Sequence, residues 1–216
     1  MKKEIILPEH IGEITLGQYQ EYYKLTQRKD LSDVNFNRRK IGIFTELNFK
    51  DVGSIAQKDF KGIIDQIDIA LNLTPKFEQR FFIDDIEFGM IPNMDKMSNT
   101  EYADTFLYPL SEENEEGDMV HSFENAHRLM AILCRPIVNE DKFKNYKIAK
   151  YNGTEEYAEF MKRTPMVYVN GIIDFFFHLA KELRISTQRY TEEVLAKERK
   201  LSTTGINGDG LLQSQN

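Results

Sequence analysis

The sequence predicts a mainly α fold: a helical bundle around a central Phe-rich helix (about 164–184), with a small β-hairpin near 79–92 and extended termini. Three observations carry this expectation. The stretch 164–183 (TPMVYVNGIIDFFFHLAKEL) opens with Thr164 as an N-cap and Pro165 at the first helical position. Steps of three and four place Met166, Val169, Ile173, Phe176, Ala180 and Leu183 on one face, and Ile172, Phe175 and Leu179 on a second. A helix apolar on two faces is expected to be enclosed by others. In 58–73, Phe60, Ile63, Ile64, Ile67, Ala70 and Leu71 keep helical register. The period then changes in 80–92 (RFFIDDIEFGMIP), where Phe and Ile flank Asp84-Asp85 as in a hairpin.

The elements follow in order. Residues 1–10 read as an extended arm, and Thr15 as the N-cap of a first helix over 16–28 that carries Tyr19, Tyr22, Tyr23 and Leu25. A second helix is expected over 32–47 with Val34, Ile41 and Phe44 inward, and the third, 58–73, stops before Thr74-Pro75. The hairpin has a weaker turn in Asp-Asp than in Asp-Gly, and an isolated hairpin is marginal, so it must lie on the helices or join another sheet. A short helix over 98–108 ends at Pro109. The span 111–118 (SEENEEGD) holds five carboxylates and reads as a solvated acidic loop, since its spacing does not fit a calcium loop. A helix over 119–135 is expected to stop at Pro136, and 141–151 to form a second strand pair or an irregular crossing. A helix over 155–163 leads into the central one. The core domain is thus 11–184, followed by a charged helix leaving the core (185–200) and a flexible polar tail (201–216).

The 216 residues are 41% hydrophobic and 29% charged, with 28 Lys plus Arg against 35 Asp plus Glu, a net charge of −7. Sequence-specific nucleic-acid binding usually shows a basic excess, and no basic stripe is visible in the linear sequence. No span of about 18 uninterrupted apolar residues exists, and the start has no signal-like core, so the chain reads as intracellular in origin with no membrane partner. Cys134 is the one cysteine and reads as a small core hydrophobe.

No catalytic, cofactor-binding or metal-ligating set emerges. The histidines are His10, His121, His127 and His178; the middle two share the expected 119–135 helix, but six residues rotate them about 240° apart. Nucleophile-elbow, phosphate-loop and dinucleotide motifs are absent, and Asp84-Asp85 fits a turn better than an acid–base pair. The aromatic load of 15 Phe and 10 Tyr points to contact surfaces. Candidate partner-binding residues are Tyr19, Tyr22 and Tyr23 on the first helix, Val194 and Leu195 on the helix leaving the core, and Leu211 and Leu212 in the tail.

Four stretches in this order carry a family likeness: IGEITLGQYQEYYKL (11–25), FFIDDIEFGMIPNMDKMSNTEYADTFLYPL (81–110), HRLMAILCRPI (127–137) and 151–183. Over roughly three quarters of its length the chain resembles uncharacterised structural proteins of tailed bacteriophages, most like those of crAss-like phages infecting Bacteroidales. The chain departs from that pattern at 111–118 and at Cys134. The shared motifs are packing motifs, so the resemblance implies a class and no active site. It implies a non-enzymatic virion component made in the host cytoplasm, a subunit of a head–tail connector or tail ring. Its partners would be portal, tail or ring proteins and further copies of itself in a homo-oligomeric ring. A tail-assembly or scaffolding chaperone, or a virion cargo protein, are the alternatives.

Overall fold

A computed structural model describes residues 5–72, 76–113 and 119–179. The chain divides into two compact units, 1–173 and 174–216. In the first, the arm ends at buried Pro8, whose carbonyl accepts from Gln66 Nε2 at 3.3 Å, and a 3-10 turn (Ile11–Glu13) leads into α1 (Leu16–Thr26). Thr15 caps α1 as the sequence predicts, in a reciprocal capping box with Gln18. Ser32 caps α2 (Asp33–Thr45), Asn48 caps the short α3 (Phe49–Gly53), and α4 (Gln57–Ala70) follows. Ile41 and Phe44 are buried as expected, but Val34 sits in the first turn of α2 at 57% exposure. Being seven residues before Ile41, it shares that face but lies beyond the end of the packed surface.

The hairpin forms where expected, as β1 (Arg80–Ile83) and β2 (Ile86–Met90), with Asp84 in the left-handed region at φ 51°. It belongs to a four-stranded antiparallel sheet of order β1-β2-β5-β6, completed by β5 (Cys134–Glu140) and β6 (Tyr146–Ile148). Between the two strand pairs lie α5 (Asn99–Thr105), capped by Ser98 and Glu101, and the small ladder β3 (Ser111–Glu113) with β4 (Met119–His121). The fold is therefore mixed α/β, which corrects the expectation of a helical bundle with one hairpin. The strand pair read into 141–151 exists only as β6, pairing back to β5.

The expected helix over 119–135 is shorter, α6 (Ala126–Leu133), and β5 starts at Cys134 with no loop between. An apolar run such as LMAILC satisfies either period, so the sequence cannot mark the change. Pro136 does not stop a helix; it sits inside β5 with its carbonyl accepting from Ala149 N at 2.8 Å. Because β4 takes His121, that residue and His127 lie on different elements.

Every residue of α6 except Arg128 is buried, so α6 is the enclosed helix of this fold, touching α1, α5, α7 (Glu155–Met161) and β5. Phe88 of β2 stacks on Phe81, then on Phe160 of α7 at 5.3 Å, and Phe81 stacks on Tyr168 at 5.5 Å. This binds the inner sheet face to α7 and to α8 (166–173), in which Met166, Val169, Ile172 and Ile173 are buried. Backbone bonds from Leu16 N to Thr164 O and from Met166 N to Ile14 O, each 2.8 Å, tie the starts of α1 and α8 together.

The second unit is described over 174–179, which is helical. Phe175 and Phe177 are exposed there and Phe176 is partly buried, so the Phe-rich segment is not the enclosed centre that the sequence predicts. Three consecutive helical residues sweep about 200° and cannot all face one core. Residues 185–216, with the charged helix and tail expected there, lie outside the described residues.

Candidate functional site

The first helix is built to be shared between a core and a surface. Leu16, Gln20 and Leu25 are buried, while Tyr19, Tyr22 and Tyr23 are each partly exposed. Gln20 Nε2 donates to the carbonyls of Phe123 and Glu124, both at 2.8 Å, and lies 2.9 Å from His127 Nδ1. This fixes α1 to the start of α6, and burial, with Lys162 and Arg128 nearby, holds the His127 imidazolium less stable than usual. The three candidate tyrosines spend part of their surface internally. Tyr19 and Tyr23 meet Phe123 edge-on at 5.0 and 6.3 Å, and Tyr22 meets Phe44 at 5.5 Å.

What remains of Tyr19 and Tyr22 lines a depression of about 470 Å³ with Asp68, Ile69, Leu71 and Asn72 of the α4 end. Ile69 is 61% exposed beside it. Asp68 forms an ion pair with the buried Lys40, which also lies 5.8 Å from the Tyr22 ring centre. Burial first, then Tyr23 beside Tyr19 and Asp68 beside Tyr22, raise both phenols, so they remain protonated donors at neutral pH. The structure thus brings Tyr19 and Tyr22 into one depression and sets Tyr23 against Phe123. Val194, Leu195, Leu211 and Leu212 fall outside the described residues.

A second depression, about 380 Å³, lies between α1, α2 and the start of α3. Lys24, Arg28, Arg38 and Arg39 line it with one carboxylate, Glu21, around exposed Phe49. This basic patch is a correction to the linear reading, which found no basic stripe, because its cations come from α1, the turn after it and α2. The signal was present in Lys24 and Arg28, four apart, and in the adjacent Arg38-Arg39.

The most enclosed polar cluster is structural. Arg135, opposite Gly89 in the ladder, donates to the carbonyls of Ile132 and Ala149 at 2.7 and 2.8 Å and forms a buried ion pair with Glu101. Glu101 also accepts from Ser98 N at 2.6 Å as the cap of α5. Burial opposes its charge, but the Ser98 and Arg135 bonds outweigh that and hold its carboxyl below the usual range. The Arg135 guanidinium stands over the Tyr151 ring, whose hydroxyl donates to Asp104 at 2.5 Å. These groups satisfy one another, and burial raises the Cys134 thiol far above its ordinary value.

Among the described residues no group of three or more His, Cys, Asp or Glu side chains is placed to hold a metal ion, and no helix is long and apolar enough to cross a membrane. What the fold presents is a mixed α/β domain with an aromatic depression and a basic groove on two sides of one helix. Comparison of the chain with protein-family profiles, with curated proteins and with solved structures finds no match.

Proposed function

We propose that the chain is a non-enzymatic structural component of a phage virion, a subunit of a head–tail connector or tail ring held by protein–protein contacts. The observation that carries this reading is α1, which anchors to α6 by Gln20 while offering a depression on each flank, one aromatic and one basic. Ile69 and Phe49 stand exposed at these depressions, as anchors for a partner surface do. The likeness of 11–25, 81–110, 127–137 and 151–183 to phage structural proteins sets the class of partner: portal, tail or ring subunits and further copies of the chain. Val194, Leu195, Leu211 and Leu212 complete the reading as an arm toward a neighbour, since ordering a tail costs about 1–2 kcal/mol per residue and needs a receiving groove.

Mass spectrometry of purified particles tests it. The chain is expected in particles at a fixed, multiple copy number. Its presence in infected cells but absence from particles overturns the proposal in favour of a tail-assembly or scaffolding chaperone.

A further inference from the structure

The basic groove between α1, α2 and α3 is unusual in a chain of net charge −7. Of its four cations, Lys24 is paired to Glu21 at 3.1 Å and Arg28 to Asp30 at 2.5 Å. Arg38 and Arg39 have no carboxylate within ion-pair distance among the described residues. Both guanidiniums instead stand near the Phe49 ring, at 5.7 and 5.9 Å from its centre. Two planar cations held against one ring are positioned for bidentate acceptors such as carboxylates.

The chain carries its own complement. Five carboxylates fall within 111–118, a segment that is continuous with the β3–β4 ladder through Glu113, paired with Met119. We infer that the groove around Arg38, Arg39 and Phe49 receives the acidic segment 111–118 of a second copy of this chain. The same segment of one chain starts from a different flank. Just after β4, Phe123 packs on Tyr19 and Tyr23, and the carbonyls of Phe123 and Glu124 are held by Gln20. At about 100° per residue, that side of α1 is roughly 140° from the side carrying Glu21, Lys24 and Leu25.

A groove that meets the segment of the next copy, and so on from copy to copy, is a heterologous contact, which forms a ring when its rotation closes. The inference therefore deepens the ring-subunit reading and rests on it. It also makes the contact electrostatic, so salt must weaken it.

The test is sedimentation of the full chain at low and high salt, with two charge-reversed variants, Arg38→Glu/Arg39→Glu and Glu115→Lys/Glu116→Lys. Circular dichroism and melting first establish that both variants fold. The wild type is expected to self-associate at low salt, and high salt or either variant to weaken this about tenfold or more. Mixing the two variants should restore association, because each supplies the charge the other now needs. A monomeric wild type, association indifferent to salt or to the variants, or no rescue on mixing would overturn the inference. So would a single-stranded oligonucleotide bound through Arg38 and Arg39 with self-association unchanged by their reversal. Particle composition reads the other proposal separately. A chain found in particles whose variants associate like the wild type sinks the groove contact alone, and a chain absent from particles with rescue intact sinks the virion reading alone.

Discussion

Tyr146 lays its ring over Gly89, in the space that a β-carbon at position 89 would occupy. The ring is held there by its hydroxyl, which donates to the Met90 carbonyl at 2.8 Å, and by Arg80, 5.3 Å from the ring centre. Burial also pushes the phenol up to about 12, so this donor persists across the ordinary pH range.

Gly89→Ala is therefore expected to destabilise by about 1–3 kcal/mol, as overpacking does. The cost should shrink in a Tyr146→Ala background, where only Ile137 Cγ1, 3.1 Å from the added carbon, still crowds it. Urea unfolding of the two single variants and the double variant checks this; strictly additive losses would refute the contact as the cause.

Arg135 and Glu101 make a different prediction. A buried pair broken on one side leaves the other charge uncompensated, so Glu101→Gln is expected to cost about 3–5 kcal/mol. The folded carboxyl titrates below its ordinary value, so its contribution is full above the unfolded value of about 4.3 and is lost as pH falls through the folded one. Stability measured against pH should fall less steeply below pH ~4.3 in Glu101→Gln than in the wild type. Parallel curves would remove Glu101 from the acid transition.

Local rules account for what was legible in the sequence. The cap at Thr15, the helix starts near Ser32 and Ser98 and the hairpin around Asp84-Asp85 were readable because each is set by residues within about four positions. The sheet was not, because β5 follows α6 without a break and its pairing with β2 is decided by residues some 46 positions away, as in Gly89 with Arg135. The basic groove was hidden for the same reason: Arg28 and Arg39 meet only once α1 and α2 pack. Tyr19, Tyr22 and Tyr23 were legible as a group because i, i+3 and i+4 share one face of a helix, and the aromatic load marks that face for contact. What lies against them is not written in the same stretch.

Core ranking follows from burial. Phe88 is 1% exposed between Phe81, Phe160 and Tyr157, so Phe88→Ala is expected to cost about 3–5 kcal/mol. Phe176 is only partly buried, and Phe176→Ala should cost clearly less, which reverses the weight that the sequence pattern gives it. Phe82, 60% exposed on the outer side of β1, should cost least, within about 1 kcal/mol. Denaturant midpoints order the three, and a loss at Phe176 equal to that at Phe88 would return the Phe-rich segment to the core.

Cys134 offers an independent reading of the same core. It is fully buried at the junction of α6 and β5, opposite Met90, and burial raises its thiol far beyond the weak opposing pull of Arg135. The thiolate is the reactive form, so a thiol-alkylating reagent at neutral pH is expected to leave the folded protein unlabelled and to modify it promptly in denaturant. Exposing the sulfur requires β2 to leave β5 or α6 to come away, so slow native labelling measures opening of the core. Where opening and closing are fast against alkylation, the rate follows the open population. Gly89→Ala, destabilised by about 1–3 kcal/mol, should then label roughly 5- to 150-fold faster than the wild type, since each 1.4 kcal/mol is about tenfold. Prompt labelling of the native wild type, or a Gly89→Ala rate equal to that of the wild type despite a lower urea midpoint, would show that Cys134 is reached without opening the sheet.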